Sequence, residues 1–280
     1  MASTSGGTAG TAPEPAGRYR PSMSGRVVRI SIAPVKALGL VHPNQVRLEA
    51  RGAAGDRRFW LVDESGRLYN NRRCGPLMTV RPSWDEQTRV LELAFPDGTV
   101  VGGQVELGAP VEVQLHHVDH PSRLVIGPWQ KALSSFAGEP LRLLWSETGA
   151  ADRSSGRGTV SLVSHGSLEQ LREQAGAAAP VDGRRFRMLF EIDGVDAHAE
   201  DAWIGGRVTL GDAEIAVAGD VGRCVITTMD PDRGVRDLDT LGALAEYRRE
   251  GRSEPLPFGV YGEVRSPGLV RVGDQVTAAA

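Results

Sequence analysis

The sequence predicts a mainly β fold of the α+β class, with two β-rich units and three short helices. Three observations carry that expectation. Gly 35 and Pro 17 make 52 of 280 residues, or 19% against the ~12% of average usage, a density of turn-formers that suits many short strands. Apolar residues mostly alternate over short runs instead of recurring every three or four positions, which is the period of a half-buried strand. A chain of 280 residues also suffices for about two domains, each with its own core.

Residues 1–24 (MASTSGGTAGTAPEPAGRYRPSMS) have no hydrophobic period and read as a disordered leader. Strands are expected in RVVRISIAPV from Arg26, QVRLEA from Gln45, RRFWLVD from Arg57, GRLYNN from Gly66, LMTVRP from Leu77, RVLELAF from Arg89 and VEVQLHHV from Val111. Asp97-Gly98, between two apolar runs, is the best local hairpin signal. From Pro128 to Phe136, Trp129, Ala132, Leu133 and Phe136 fall at helical spacing behind an early proline. Strand PLRLLW follows that helix. The polar, glycine-rich DRSSGRG at Asp152–Gly158 marks the junction between an N-terminal unit, 25–150, and a C-terminal unit, 151–280. Beyond it the sequence predicts strand TVSLVS, helix GSLEQLREQAGA, strand RMLFEID, strands through RVTLGDAEIAVAG, and strand VITTM. A helix over Leu238–Arg249 and strands FGVYGEV, LVRV and QVTA close the chain.

Composition excludes several functions. Lys+Arg 32 against Asp+Glu 35 leaves a net charge of −3, without the basic field that nucleic-acid binding needs. Two cysteines, Cys74 and Cys224, cannot build a disulfide framework, a four-cysteine zinc site or an iron–sulfur cluster. No apolar run approaches the ~18–20 residues of a membrane span, and no charged segment precedes an apolar stretch as in a signal peptide. A soluble, cytoplasmic protein with reduced thiols is the expectation. Phosphate-loop, dinucleotide, serine-elbow and HExxH zinc motifs are absent.

The remaining candidates are single residues. His116, His117 and His120 suggest a metal cluster, but neighbours on a strand face opposite ways, and a solvated strand end is the better reading. Cys74 lies beside Arg72 and Arg73, whose charge favours a thiolate; a packed turn residue before Gly75-Pro76 is preferred. Cys224 follows a glycine-containing turn, next to Arg223. That setting suits nucleophilic chemistry, soft-metal ligation or simple packing. Lys36, one of only two lysines among 32 basic residues, is an anion-binding candidate or a solvated loop residue. Arg57, Arg58, Arg184, Arg185 and Arg187 are further cations at strand starts.

Taken in order, RISIAPVKALG, GDRRFWLVDESGRLYNNR, SLVSHGSLEQL, RRFRMLFEIDGVDAHAEDAW, VTLGDAEIAV, GRCVITTMDPDRG and FGVYGEVRSPGLVRVGDQV resemble the MOSC family. They are similar in particular to its two-part members of the mitochondrial amidoxime reducing component type. The resemblance covers nearly everything after the leader. It implies an N-terminal MOSC-associated β-barrel-like domain followed by a MOSC-type β-barrel. It further implies a molybdenum cofactor (Mo-molybdopterin) with Cys224 as metal ligand and catalytic residue. Lys36, Arg57 and Arg187 would reach the pterin phosphate, with Arg157 and Thr159 of the Gly156–Thr159 loop, and Arg223, completing the cofactor-binding set. Ala37 stands where the family commonly has Ser, and Met188-Leu189 where it commonly has Pro-Asn.

The implied activity is reduction of N-hydroxylated small molecules in a specialised biosynthetic step. Electrons would come from a separate donor protein of ferredoxin, cytochrome or flavin type. A sulfur-carrier or C–S bond enzyme using a Cys224 persulfide without molybdenum, and a non-catalytic cofactor-binding protein, are the alternatives.

Overall fold

In the computed structural model, seven strands close into a barrel. Their order is Ser24–Ile30, Phe190–Asp193, Val160–Ser164, Pro257–Ser266, Ala213–Gly222, Arg207–Leu210 and Gln275–Ala278, the last returning to the first. The structure describes residues 23–115, 118–148 and 159–279. Most of the expected leader, His116, His117, and the junction Asp152–Gly158 with Arg157 lie outside the described residues.

Alternation explains the barrel strands: Val208 and Leu210 are fully buried while Arg207 and Thr209, which alternate with them, are exposed. One pair is parallel, Leu162 facing Phe190, and a parallel pair needs a crossover. Helix α1 spans Trp129–Ala137 in the first half; α2, His165–Gln174, lies within the crossover, and α3 spans Thr240–Tyr247. Ser164 caps α2, its hydroxyl accepting from the Ser167 amide at 3.0 Å.

The first half builds a second core. A five-stranded sheet runs Leu68–Tyr69, Phe59–Asp63, Leu141–Ser146, Val118–Ile126, Glu106–Leu115, and a three-stranded one runs Arg81–Asp85, Val90–Ala94, Val100–Gln104. Leu61, Leu91, Leu143 and Trp129 of α1 meet between them. Each fully buried side chain of this kind contributes ~1.5–3 kcal/mol of transfer free energy. The Asp97-Gly98 hairpin forms as expected, with Gly98 at φ 87° and the Phe95 amide donating to the Thr99 carbonyl.

The halves also interleave. The strand Ser24–Ile30 belongs to a barrel otherwise made of strands from 160 onward. A small sheet sets Val46 opposite Val270, and Val46, Leu48 and Val270 join the barrel core.

Several elements differ from expectation. Val225–Thr228, expected as a strand, is a 3₁₀ turn. Its β-branched residues suggested a strand, but the Thr227 and Thr228 hydroxyls donate back to the Cys224 and Val225 carbonyls at 3.0 and 2.7 Å, which holds a turn. Within LMTVRP, Gly75–Thr79 is likewise a 3₁₀ turn. Pro76 sits in its first turn, Thr79 donates back to the Pro76 carbonyl, and the strand starts only at Arg81. GRLYNN shortens to Leu68–Tyr69, because the Arg73 and Cys74 amides both turn to the Asn70 carbonyl. RMLFEID begins its strand at Phe190, since Arg187 is left-handed. Glycine and proline hid the strands Val100–Gln104 and Val118–Ile126. Among the described residues, no helix is long and apolar enough to cross a membrane.

Candidate functional site

A cleft of about 440 Å³ opens between the halves. The end of the first strand region, the turn after Leu68–Tyr69, the Gly183–Phe186 3₁₀ turn and the segment leading into Val225–Thr228 all reach it. Of the seven residues expected to hold a cofactor or metal, Lys36, Arg57, Thr159, Arg187, Arg223 and Cys224 line this one space. Arg157 lies outside the described residues.

Backbone geometry explains part of the convergence. Ala37, Arg57 and Arg187 take φ of 79°, 49° and 53°, and all three border the cleft. Left-handed backbone costs a non-glycine residue about 1–3 kcal/mol and persists where its surroundings enforce it. The enforcing contacts are specific. Asp56, 1% exposed, accepts the Ala33 amide at 2.7 Å and pairs with the Arg57 guanidinium. Arg57 also donates to the Arg187 carbonyl at 3.1 Å, and Arg187 donates to the Leu38 carbonyl at 2.8 Å. Two arginines, one from each half, thus clasp the halves together at the cleft wall. Lys36 is fixed through its own amide, which donates to the Phe59 carbonyl at 2.7 Å.

The charges are unevenly committed. Arg223 spends its guanidinium on the Phe258 and Phe186 carbonyls and on the Met188 sulfur, 5.2 Å from the Phe186 ring centroid. Arg185, not assigned to the cofactor set from sequence, lines the cleft but is held bidentate by Asp237 at 2.6 and 2.9 Å. Arg184 is paired to Asp182 and Asp232, and Arg58 stacks on Trp145 at 4.3 Å; neither lines the cleft. Arg72 lines the mouth, exposed, with no acid within ion-pair distance among the described residues. Its turn is anchored by Asn71, which donates to the Ala37 carbonyl at 2.6 Å. Sequence reasoning gave no role to Asn70, Asn71 and Glu254, and treated Arg72 only as a neighbour of Cys74. The signal that could have found the asparagines and Arg72 is the polar NNRR following strand LY.

The lining therefore holds six cations, Lys36, Arg57, Arg72, Arg185, Arg187 and Arg223, and among the described residues one carboxylate, Glu254. A chain of net charge −3 concentrates positive potential in one cleft, which suits a multiply charged anion. The Cys224 thiol on the same lining adds one soft ligand.

Cys74 does not reach the cleft. It packs against the first core, and burial pushes its thiol up from the ordinary range, against the weaker pull of the Leu77 amide. The charge of neighbouring Arg73 does not activate it, being spent on Asp63 and Glu139, each at 2.5 Å. His120 is not at a solvated strand end: it is buried edge-on to Trp60, centroids 5.3 Å apart.

The chain is similar to known proteins along most of its length. The chain is 27% identical over 291 residues to mitochondrial amidoxime-reducing component 1 of Mus musculus, covering 94% of this chain and 84% of that protein. It is 27% identical over 282 residues to the Homo sapiens protein of the same name, covering 90% and 82%. The YUAD protein from Bacillus subtilis superposes with a TM-score of 0.46 at 11% identity, covering 91% of this chain and 96% of that one. The model of the MOSC N-terminal beta barrel domain matches residues 24–125, and that of the MOSC domain matches residues 149–277. Together they take in more than four-fifths of the chain, which belongs to the MOSC family.

Proposed function

We propose that the protein reduces N-hydroxylated small molecules with a molybdenum cofactor held in this cleft, drawing electrons from a separate donor protein. The observation that carries the reading is the meeting of Lys36, Arg57, Arg187 and Cys224 on one lining. A phosphate-bearing pterin needs converging cations and a soft metal needs a thiolate, so the residues present fit the group. The amidoxime-reducing names of the relatives support the same reaction class.

Lys36, Arg57, Arg187 and Thr159 would hold the phosphate end, and Cys224 the metal. Arg223, bonded to the Phe258 carbonyl of a barrel strand and to the Phe186 carbonyl of the Gly183–Phe186 turn, would fix the turn that presents Cys224. When bound, the cofactor supplies two-electron redox chemistry at its metal. The protein supplies binding, orientation and a positive potential around the anionic group. Overall, an N–OH compound takes up two electrons and two protons and leaves as the N–H compound and water. With Cys74 packed in a core and no dinucleotide motif in the sequence, the electrons would come from a ferredoxin, cytochrome or flavin partner.

The test is metal and pterin content of protein made in a cofactor-competent host, with reduction of an aryl amidoxime by a chemical electron donor. Stoichiometric molybdenum that Cys224→Ala loses, together with the activity, is the expected result. Metal-free wild-type protein carrying a persulfide mass on Cys224 would overturn the reading in favour of sulfur transfer. A loaded protein that turns over no N-hydroxylated compound would leave a cofactor-binding role.

A further inference from the structure

Two adjacent arginines in the turn after Leu68–Tyr69 have opposite fates. Arg73 is spent on the protein: its guanidinium meets Asp63 and Glu139, each at 2.5 Å, and lies 4.5 Å from the Tyr69 ring centroid. Arg72 is exposed, lines the mouth of the cleft and has no acid within ion-pair distance among the described residues.

The turn presents Arg72 from a fixed backbone. Asn70 accepts the Arg72 amide on Oδ1 at 3.0 Å, and its carbonyl accepts the Arg73 and Cys74 amides at 3.0 and 3.2 Å, an Asx-type turn. Asn71, 2% exposed, donates to the Ala37 carbonyl at 2.6 Å, which ties the turn to the segment carrying Lys36. On the far side Cys74 packs into the first core. A backbone anchored in this way has little freedom left to lose when a ligand binds.

The other arginines of the lining serve the fold. Arg57 meets Asp56 and the Arg187 carbonyl, Arg187 the Leu38 carbonyl, and Arg185 the Asp237 carboxylate. Arg223 meets two carbonyls and a sulfur. The one carboxylate of the described lining, Glu254, accepts the Gly222 amide at 3.0 Å. Asn70 and Thr159 add hydrogen-bonding groups but no charge. With Lys36 turned to the phosphate, a second anionic group entering the cleft finds its counter-charge in Arg72.

Resting on the reductase reading, we infer that Arg72 is a specificity-determining residue at the mouth of the cleft, selecting N-hydroxylated compounds that carry a carboxylate away from the reacting nitrogen over neutral ones. A guanidinium takes a carboxylate through two parallel N–H···O bonds, which fix orientation as well as attract. The positive potential of the lining favours entry of the same anion. Because Arg72 is exposed, water screens the pair, and the preference is about threefold to fivefold.

The experiment has a kinetic arm and a binding arm. Molybdenum-loaded wild-type, Arg72→Gln and Arg72→Lys proteins are given a para-carboxylate benzamidoxime and its para-carboxamide counterpart, with a chemical electron donor. In the wild type, kcat/KM favours the carboxylate by about threefold to fivefold at low salt, and the preference vanishes at ~1 M salt, where charges are screened within ~3 Å. Arg72→Gln brings the ratio to about one through KM and not kcat, and Arg72→Lys keeps part of it. Molybdenum and pterin content and melting temperature stay at wild-type values in both variants. Calorimetry with the two matching amidines, which cannot be reduced further at an N–O bond, gives the same order of affinities. Equal kcat/KM for the two compounds in the wild type, or a preference that survives Arg72→Gln, would overturn the inference. So would molybdenum lost from Arg72→Gln, which would assign Arg72 to the cofactor phosphate. Loaded wild-type protein that reduces neither compound would refute the reductase reading instead, while the calorimetric arm still reports on Arg72.

Discussion

Asp220→Ala should unfasten the loop from Arg252 to Glu254 at a cost that can be worked from its bonds. The carboxylate is 2% exposed and accepts three backbone amides and a serine hydroxyl. Net contributions of hydrogen bonds to a charged acceptor run about 1.5–3 kcal/mol each. Arg252 and Ser253 are exposed, so water replaces part of what is lost, and about 2–3 kcal/mol of total destabilisation is expected. For a chain of this size that lowers Tm by roughly 3–5 °C. The pH dependence is the sharper test. Burial by itself pushes the Asp220 carboxyl up, but the Ser253 hydroxyl and the Arg252, Glu254 and Ser253 amides outweigh it and hold the group below the ordinary range. A lowered carboxyl pKa stabilises the fold fully above the unfolded value of about 3.9 and loses that contribution as pH falls through the folded value. Guanidinium unfolding of wild type and variant at pH 7, 5, 4 and 3 should give a constant gap between pH 7 and 5 that begins to narrow at pH 4 and narrows further at pH 3. A gap under about 0.5 kcal/mol at pH 7, within the range of ordinary surface substitutions, or one that widens in acid, would refute the reasoning.

Three further outcomes are expected. Burial, with a smaller push from Arg248, drives His198 down to about 3; the unfolded state then takes up a proton near 6.5 that the folded state refuses. Stability should fall by about 2–3 kcal/mol between pH 7 and 4.5, and His198→Asn, which tolerates the left-handed backbone at φ 59°, should flatten that slope in urea titrations. Gly75→Ala should cost about 2–3 kcal/mol by denaturant unfolding, because its Cβ would run into the Gly234 carbonyl across the junction of the two halves. Asp237→Asn frees Arg185, whose side chain is 9% exposed, and should destabilise by about 2 kcal/mol. The same variant should bind inorganic phosphate about threefold to tenfold more tightly by calorimetry, because the freed charge faces the cleft.

The strands with clean alternation, such as RVTL and QVRLE, and the Asp97-Gly98 hairpin were legible in the sequence because their cause is local. So were the three helices. The turn at Val225–Thr228 was not, because threonine hydroxyls bonding backward and β-branched residues packing in a ladder look alike in a sequence. Lys36, Arg57, Thr159, Arg187, Arg223 and Cys224 could be singled out through family motifs, though composition alone left Lys36 and Cys224 undecided. Arg223 shows the limit of a motif: nothing in R-C reveals that its guanidinium is committed to the Phe186 and Phe258 carbonyls. Glu254 carried no signal, since its place depends on Asp220, more than thirty positions earlier, and on a glycine beside Cys224. The left-handed backbone at Ala37 was equally hidden, because alanine has no sequence preference for it.

The way the barrel closes sets a schedule for synthesis. Ser24 pairs with Thr277 and Arg26 with Asp193, so the earliest strand of the described chain waits for the latest. At ~5–20 residues per second the ribosome needs on the order of ten to fifty seconds to deliver the missing partner. Throughout that interval Val27 and Ile30, both fully buried in the finished barrel, face water on a nascent chain whose first-half core can already form. Trimming the chain past Ile30 would make the same condition permanent, leaving Phe190–Asp193 and Gln275–Ala278 as open edges that recruit other chains.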